Sequence, residues 1–271
     1  MNNLTNFLLN PPPYRIFTRK ILKILKLGSY KFRYKNGALE RPNYAYVLYQ
    51  AASLAKALNY KKISVIEFGV AKGEGLINLE SQSEEISKIF GISIEIYGFD
   101  NAIGLPPPED YRDCPYLWSK GSFKMDEVYL KSKLKNSKLI LGDISKTSET
   151  FFKDFNPAPI GAIIYDFDFY TSTVLALKML ENNNDYYLPR VFNYFDNTIG
   201  NNKSCFNDFT GERLAINEFN EKHQRIKIAK PYDLIPKDKF DSWYNQIWVT
   251  HFFDHKDYCK YIGDKILKVK F

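Results

Sequence analysis

The chain has 271 residues, 45% of them apolar and 25% charged, with three cysteines and a net charge of +7. That length and apolar content suit a full core in one large α/β domain with appendages, and the sequence holds no run of eighteen apolar residues that could span a membrane. Cys114, Cys205 and Cys259 are widely spaced with no CxxC pair, which argues against a disulfide framework or a zinc site.

The charge is unevenly placed. Residues 1–40 hold eight basic groups, Arg15, Arg19, Lys20, Lys23, Lys26, Lys31, Arg33 and Lys35, against Glu40 alone, which accounts for the whole +7. This stretch reads as a basic extension to a domain over 41–271. Met1–Pro13 lacks the basic flank and long apolar centre of a secretion signal, so a cytoplasmic location is expected. After Pro11, Pro12 and Pro13 a short amphipathic helix is expected, stopping near Gly28. Phe17, Ile21, Ile24 and Leu25 share one face of it, and Arg19, Lys23 and Lys26 the other. Over residues 15–35 such a segment can lie on an anionic surface, peripheral to the inner membrane face. It can instead pack its apolar face on its own domain or on a second subunit of a homo-oligomer.

A helix is expected over Asn43–Leu58, with Asn43 as N-cap after Pro42. Then comes ISVIEFGVAKGEG, residues 63–75: a buried strand that stops on a carboxylate and turns through Gly69, Gly73 and Gly75 into a helix. The spacing Gly-x-x-x-Gly-x-Gly fits the dinucleotide fingerprint poorly. The second strand, SIEIYGFD, ends on Asp100, placed to accept hydrogen bonds from a ribose diol. A nucleoside-binding half without a phosphate fingerprint favours S-adenosylmethionine, whose cationic end suits the nearby acid, over a nicotinamide cofactor; a ligand-free glycine turn is the plain alternative. Further strands are expected at Leu139–Leu141, Ile160–Asp166 and Val191–Phe195, and an antiparallel pair at Arg225–Ala229 and Gln246–Phe253. The whole predicts a doubly wound, mostly parallel, seven-stranded Rossmann-like α/β sheet with an antiparallel edge hairpin and an N-terminal helical extension. The long segment 101–123, rich in proline and aromatics, is either a lid-like cover over the crevice or a surface excursion.

Two strand ends carry acids: Asp166 and Asp168 after the fourth strand, Asp196 with Asn197 after the fifth. If the extended geometry persists, Asp166 and Asp168 share a face, and all four groups reach the crevice at the carboxyl edge. Three carboxylates and an amide oxygen form a hard ligand set suited to Mg²⁺ or Ca²⁺. Capping of the next helix by Asp168 or Thr171 is the alternative. His223, His251 and His255 lie late in the chain without a nucleophile elbow and read as structural.

With these residues in place, the chain resembles class I S-adenosylmethionine-dependent methyltransferases, and within them the metal-dependent macrocin O-methyltransferase-like group. The resemblance rests on IEFGVAKGEG (66–75), YGFDNAIGLPPP (97–108), ILGD (140–143), YDFDFYTSTVLAL (165–177), YFDN (194–197) and GERLAINEFN (211–220). It implies that Glu67, Gly69, Val70 and Gly73 line the methionine end of the cofactor, that Asp100 holds the ribose, and that Asp143 and Ile144 sit by the adenine. It also implies metal ligands at Asp166, Asp168, Asp196 and Asn197, with Asp166 as general base. Asn197 stands where the group has a second aspartate, so the site has one negative charge fewer. The expected reaction is Mg²⁺-dependent O-methylation of a hydroxyl on a sugar or glycosylated small molecule or surface glycan, with no nucleic-acid partner. A methyltransferase fold kept only for binding or assembly, and less favourably a nicotinamide-dependent oxidoreductase, are the alternatives.

Overall fold

A computed structural model describes residues 4, 8, 14–237 and 241–263. Seven strands form one sheet: β1 (Lys62–Phe68), β2 (Ser93–Asp100), β3 (Lys138–Leu141), β4 (Ile160–Tyr165), β5 (Tyr187–Phe195), β6 (Ile226–Ala229) and β7 (Ile247–Phe252). Their order is β3-β2-β1-β4-β5-β7-β6. The first five are parallel, while β7 runs antiparallel to both β5 and β6. This is the expected doubly wound sheet with its antiparallel edge pair. The order reverses between β1 and β4, so the ends of β1 to β5 open a crevice along one edge, where such sheets place ligands.

The helices are α1 (Tyr14–Ile24), α2 (Tyr30–Lys35), α3 (Pro42–Ala57), α4 (Glu74–Phe90), α5 (Glu127–Lys133), α6 (Ile144–Phe155), α7 (Tyr170–Leu177) and α8 (Gly211–Lys222). Alternation along β1 divides the core. Ile63 and Val65 face α3 and α4 in one cluster, whereas Ile66 and Phe68 face the aromatic cluster of Phe99, Phe151, Tyr165 and Phe195 under α6 to α8. Glu67 falls on the first of these faces, under α3 and α4.

Three local expectations are corrected. Pro42 occupies the first turn of α3 and Arg41, at φ 46°, is its N-cap, so Asn43 lies inside the helix; the fixed φ of proline suits that first position. β5 begins at Tyr187 and not at Val191, and its pairing with β4 slips a register between Ile160 and Ala162, which accommodates Pro189. In α1, Arg15, Thr18, Arg19, Ile21 and Leu22 turn toward the domain, while Ile16, Phe17 and Ile24 are exposed. Of the expected apolar face Ile21 is half-buried, while Phe17, Ile24 and Leu25 do not pack on this chain's own domain. The reason is an ionic anchor: Arg19 donates to both carboxylate oxygens of Asp241 at 2.9 and 3.0 Å and to Gly37 O at 2.7 Å, and Arg15 pairs with the same aspartate. The expected helix entry at Pro11–Pro13 lies outside the described residues. No helix among the described residues is long and apolar enough to cross a membrane.

Candidate active site

A cavity of about 660 Å³ lies at the carboxyl edge and is lined by the segments that follow β1 to β5. Gly69 comes directly after β1. Its φ is +81°, and a Cβ there would lie 1.9 Å from the backbone oxygen of Asp166, so only glycine lets the ends of β1 and β4 close up. The turn beyond it is held by Asp100, which accepts the N–H of Ala71 at 2.8 Å and of Ala102 at 2.6 Å. Burial raises the proton affinity of Asp100, and those backbone donations oppose the rise. Asp143 caps α6 by accepting from the Ser145 N–H and hydroxyl, which hold its pKa down, and it lines the cavity with Ile144.

The long segment 101–123 runs beside the cavity. Ile103, Leu105, Pro106, Trp118 and Phe123 form part of its wall. The segment is pinned at Asp113, fully buried, whose carboxylate accepts the N–H and hydroxyl of Thr171 at the start of α7. Arg112 adds a stack on the Tyr170 ring, 4.5 Å from its centroid. Neither Asp168 nor Thr171 caps α7; the N-cap position is Phe169, and the side-chain cap comes from Asp113, more than fifty residues upstream.

The acids crowd the far wall. β4 ends at Tyr165, and Asp168 takes φ 65°, so the extended geometry does not persist to that residue. Asp166, Asp168 and Asp196 nevertheless all line the cavity. Burial, reinforced by Asp196, Asp168 and Glu67, pushes the Asp166 carboxyl well above the usual range. Asp168 is raised to about 7 by burial, against the Asn197 amide that donates to it at 2.6 Å. Asp196 accepts the Tyr194 hydroxyl. Among the described residues no three His, Cys, Asp or Glu side chains converge as a metal-ligand set. The donor chemistry still fits a hard cation: the groups are anionic oxygens whose mutual repulsion a cation would relieve.

Glu67, Val70, Gly73 and Asn197 are not among the residues that line the cavity. Glu67 is buried under α3, accepts the Tyr44 hydroxyl at 2.9 Å, and leaves Oε2 without a hydrogen-bond partner among the described residues. Burial lifts its pKa to about 8. Gly75 makes room for it, since a Cβ there would fall 1.9 Å from Glu67 Oε1.

Two further residues belong to the constellation. Arg41 is the cation whose field acts on both Glu67 and Asp166. Glu212 is completely buried, accepts the Asn197 N–H at 2.8 Å, and is raised by burial and by Asp196. The GER triplet at the start of α8 was a sequence landmark, but nothing in its spacing assigned Glu212 a partner. The three histidines stay away from the cavity: His223 stacks on Phe219, His251 meets the Tyr258 hydroxyl, and His255 is buried beside the turn after β7. All three cysteines are free thiols.

The sequence matches no protein-family model and no curated protein. Among solved structures, the chain is similar to the calicheamicin methyltransferase CalS11, with 20% identity over 80% of this chain and 88% of that one and a TM-score of 0.48. It is also similar to the plantazolicin methyltransferase BamL in complex with a desmethylPZN analogue and SAH, at 9% identity over 86% and 92% with a TM-score of 0.40. For the O-methyltransferase from Bacillus cereus in complex with SAH, identity is 9% over 91% and 94% of the chains, with a TM-score of 0.37.

Proposed function

We propose that the chain is an S-adenosylmethionine-dependent O-methyltransferase whose acceptor is a hydroxyl of a sugar or glycosylated molecule, with Mg²⁺ held beside Asp166, Asp168 and Asp196. The observation that carries the reading is the charge of the cavity. Among the described residues its lining includes six carboxylates, Asp100, Glu109, Asp143, Asp166, Asp168 and Asp196, and no lysine, arginine or histidine. A dinucleotide pyrophosphate would meet uncompensated repulsion there. A ligand with a sulfonium and an ammonium group would meet attraction, and its ribose diol could donate to Asp100.

When bound, S-adenosylmethionine supplies an electrophilic methyl group, and Mg²⁺ lowers the pKa of a hydroxyl held beside it. The protein's part follows from its residues. Asp166 accepts the hydroxyl proton at a carboxylate oxygen, and its raised proton affinity brings it closer to an alcohol than an ordinary carboxylate stands. Asp168 and Asp196 would hold the cation; Asn197 would add its oxygen only if its amide turned over, because it now donates to Asp168. The wall of Trp118 and Phe123 excludes water and offers flat rings to a sugar or an adenine.

That same Asn197 donation favours a second reading, in which the fold binds the cofactor without metal or turnover. Calorimetry with S-adenosylhomocysteine and with Mg²⁺, followed by a labelled-methyl screen over nucleotide sugars, oligosaccharides, glycosides and catechols, separates the two. The proposal expects both ligands to bind and EDTA to stop transfer. Cofactor binding without Mg²⁺ binding or turnover supports the second reading, turnover confined to catechols overturns the sugar acceptor, and NAD binding in place of S-adenosylhomocysteine overturns both.

A further inference from the structure

We propose that the outward face of α1 docks on the surface of an anionic lipid bilayer. The helix is held from behind, through Arg15 and Arg19 on Asp241, so its opposite face is presented outward on a fixed mount. On that face Ile16, Phe17 and Ile24 are each about two-thirds exposed, and Leu25 beyond the helix end is similarly bare. Lys20 and Lys23 rise from the same face and Lys26 follows it, all exposed. Four large apolar side chains in water among lysines are costly, and here two arginines share the inward face with Thr18, Ile21 and Leu22 while Ile16, Phe17, Ile24 and Leu25 stay outside.

Apolar residues flanked by cations match the interfacial zone of a bilayer, which takes the apolar groups into the acyl boundary and pairs lysines with anionic headgroups. With 11 residues the helix is roughly 16 Å long, so it lies on the surface and does not cross. A second copy of the chain is a poorer occupant: a two-fold contact through this face would set Lys20 and Lys23 against their own symmetry mates. An acidic protein partner would explain the lysines but not the bare Phe17 and Ile24. The inference is independent of what the cavity binds.

The test is co-sedimentation of the full chain with vesicles of phosphatidylcholine containing about one third phosphatidylglycerol, against pure phosphatidylcholine. Binding is expected to the anionic vesicles only and to weaken with added salt. Phe17→Ser with Ile24→Ser should weaken partitioning at least about tenfold, and Lys20→Gln with Lys23→Gln by a similar factor. All four residues are exposed, so thermal melting should not move. Absence of binding to both vesicle types, or unchanged binding by both double variants, overturns the proposal. So does a result in which Phe17→Ser with Ile24→Ser merely converts a dimer to a monomer in light scattering.

Discussion

The cavity and the N-terminal helix carry opposite charges on opposite terms with water. Around the cavity, Glu67, Asp168 and Glu212 are buried and Asp166 is half-buried, and each is raised in proton affinity by desolvation, with Arg41 as the nearby cation. On α1 the lysines are solvated and strain nothing. A buried acid cluster costs folding free energy, so its persistence points to a ligand that repays it; an exposed basic face costs almost nothing, so charge alone says little there and the bare apolar residues beside it carry the argument. The two regions also differ in what a substitution should do. In the cavity, neutralising a charge should harm methyl transfer and help stability, whereas on the helix it should leave methyl transfer and stability nearly untouched except at the anchor.

The sharpest break of that contrast is Asp166→Asn. Methyl transfer should fall by about a hundredfold or more, because the base is lost, while the melting temperature rises as one carboxyl leaves the mutual repulsion. Labelled-methyl transfer and thermal unfolding read the two signs separately, and an active variant of unchanged stability would remove Asp166 from both roles. Next in size is Gly69→Ala, a purely steric change at the same edge. With φ at +81° and a Cβ aimed at the Asp166 carbonyl, it should cost roughly 2–4 kcal/mol in urea unfolding. A loss under about 0.5 kcal/mol would mean that the strand ends are looser than this packing implies.

A gentler probe is Glu67→Gln. The folded-state pKa of Glu67, about 8, exceeds its ordinary value of 4.5, so the folded chain holds a proton that the unfolded chain has released across that window. Its contribution to stability is complete below the ordinary value and is lost as pH rises toward 8, with a slope of up to about 1.4 kcal/mol per pH unit. Replacing it with glutamine should flatten the stability curve between about pH 5 and 8. Equal slopes in both proteins would mean that Glu67 is ionised in its buried site.

The sheet was legible because β1, β2 and β4 are nearly continuous apolar runs, each ending on or just before a residue that could not stay in a core: Gly69, Asp100, Asp166. That pattern gave the carboxyl edge and most of the cavity's acids. What it could not give was depth. Strand alternation already placed Glu67 on the α3 face, away from the crevice, yet its neighbouring glycines drew it into the cofactor loop. Asp113, Arg41 and Glu212 act through partners brought in by tertiary folding, so no local spacing marks them. The same limit explains α1: periodicity found its two faces, but the choice of inward face was made by Asp241, 222 residues from Arg19.

That anchor supplies the smallest and most local effect. Arg19 and Asp241 are each about one-fifth exposed, and the guanidinium meets both carboxylate oxygens while its other nitrogens serve Gly37 O. Asp241→Asn keeps the shape and removes the charge, which should cost about 1 kcal/mol, the upper end for a partly exposed ion pair. Because α1 contributes no buried residue to the core, that loss should appear as local opening and not as global unfolding. Limited trypsin digestion should cut between Arg15 and Lys26 several-fold faster, while urea unfolding of the domain and S-adenosylhomocysteine binding stay within error of wild type. If the cofactor affinity dropped with the faster cleavage, the helix and the cavity would be coupled, through the short path from Gly37 to Arg41, and the two regions would no longer be independent.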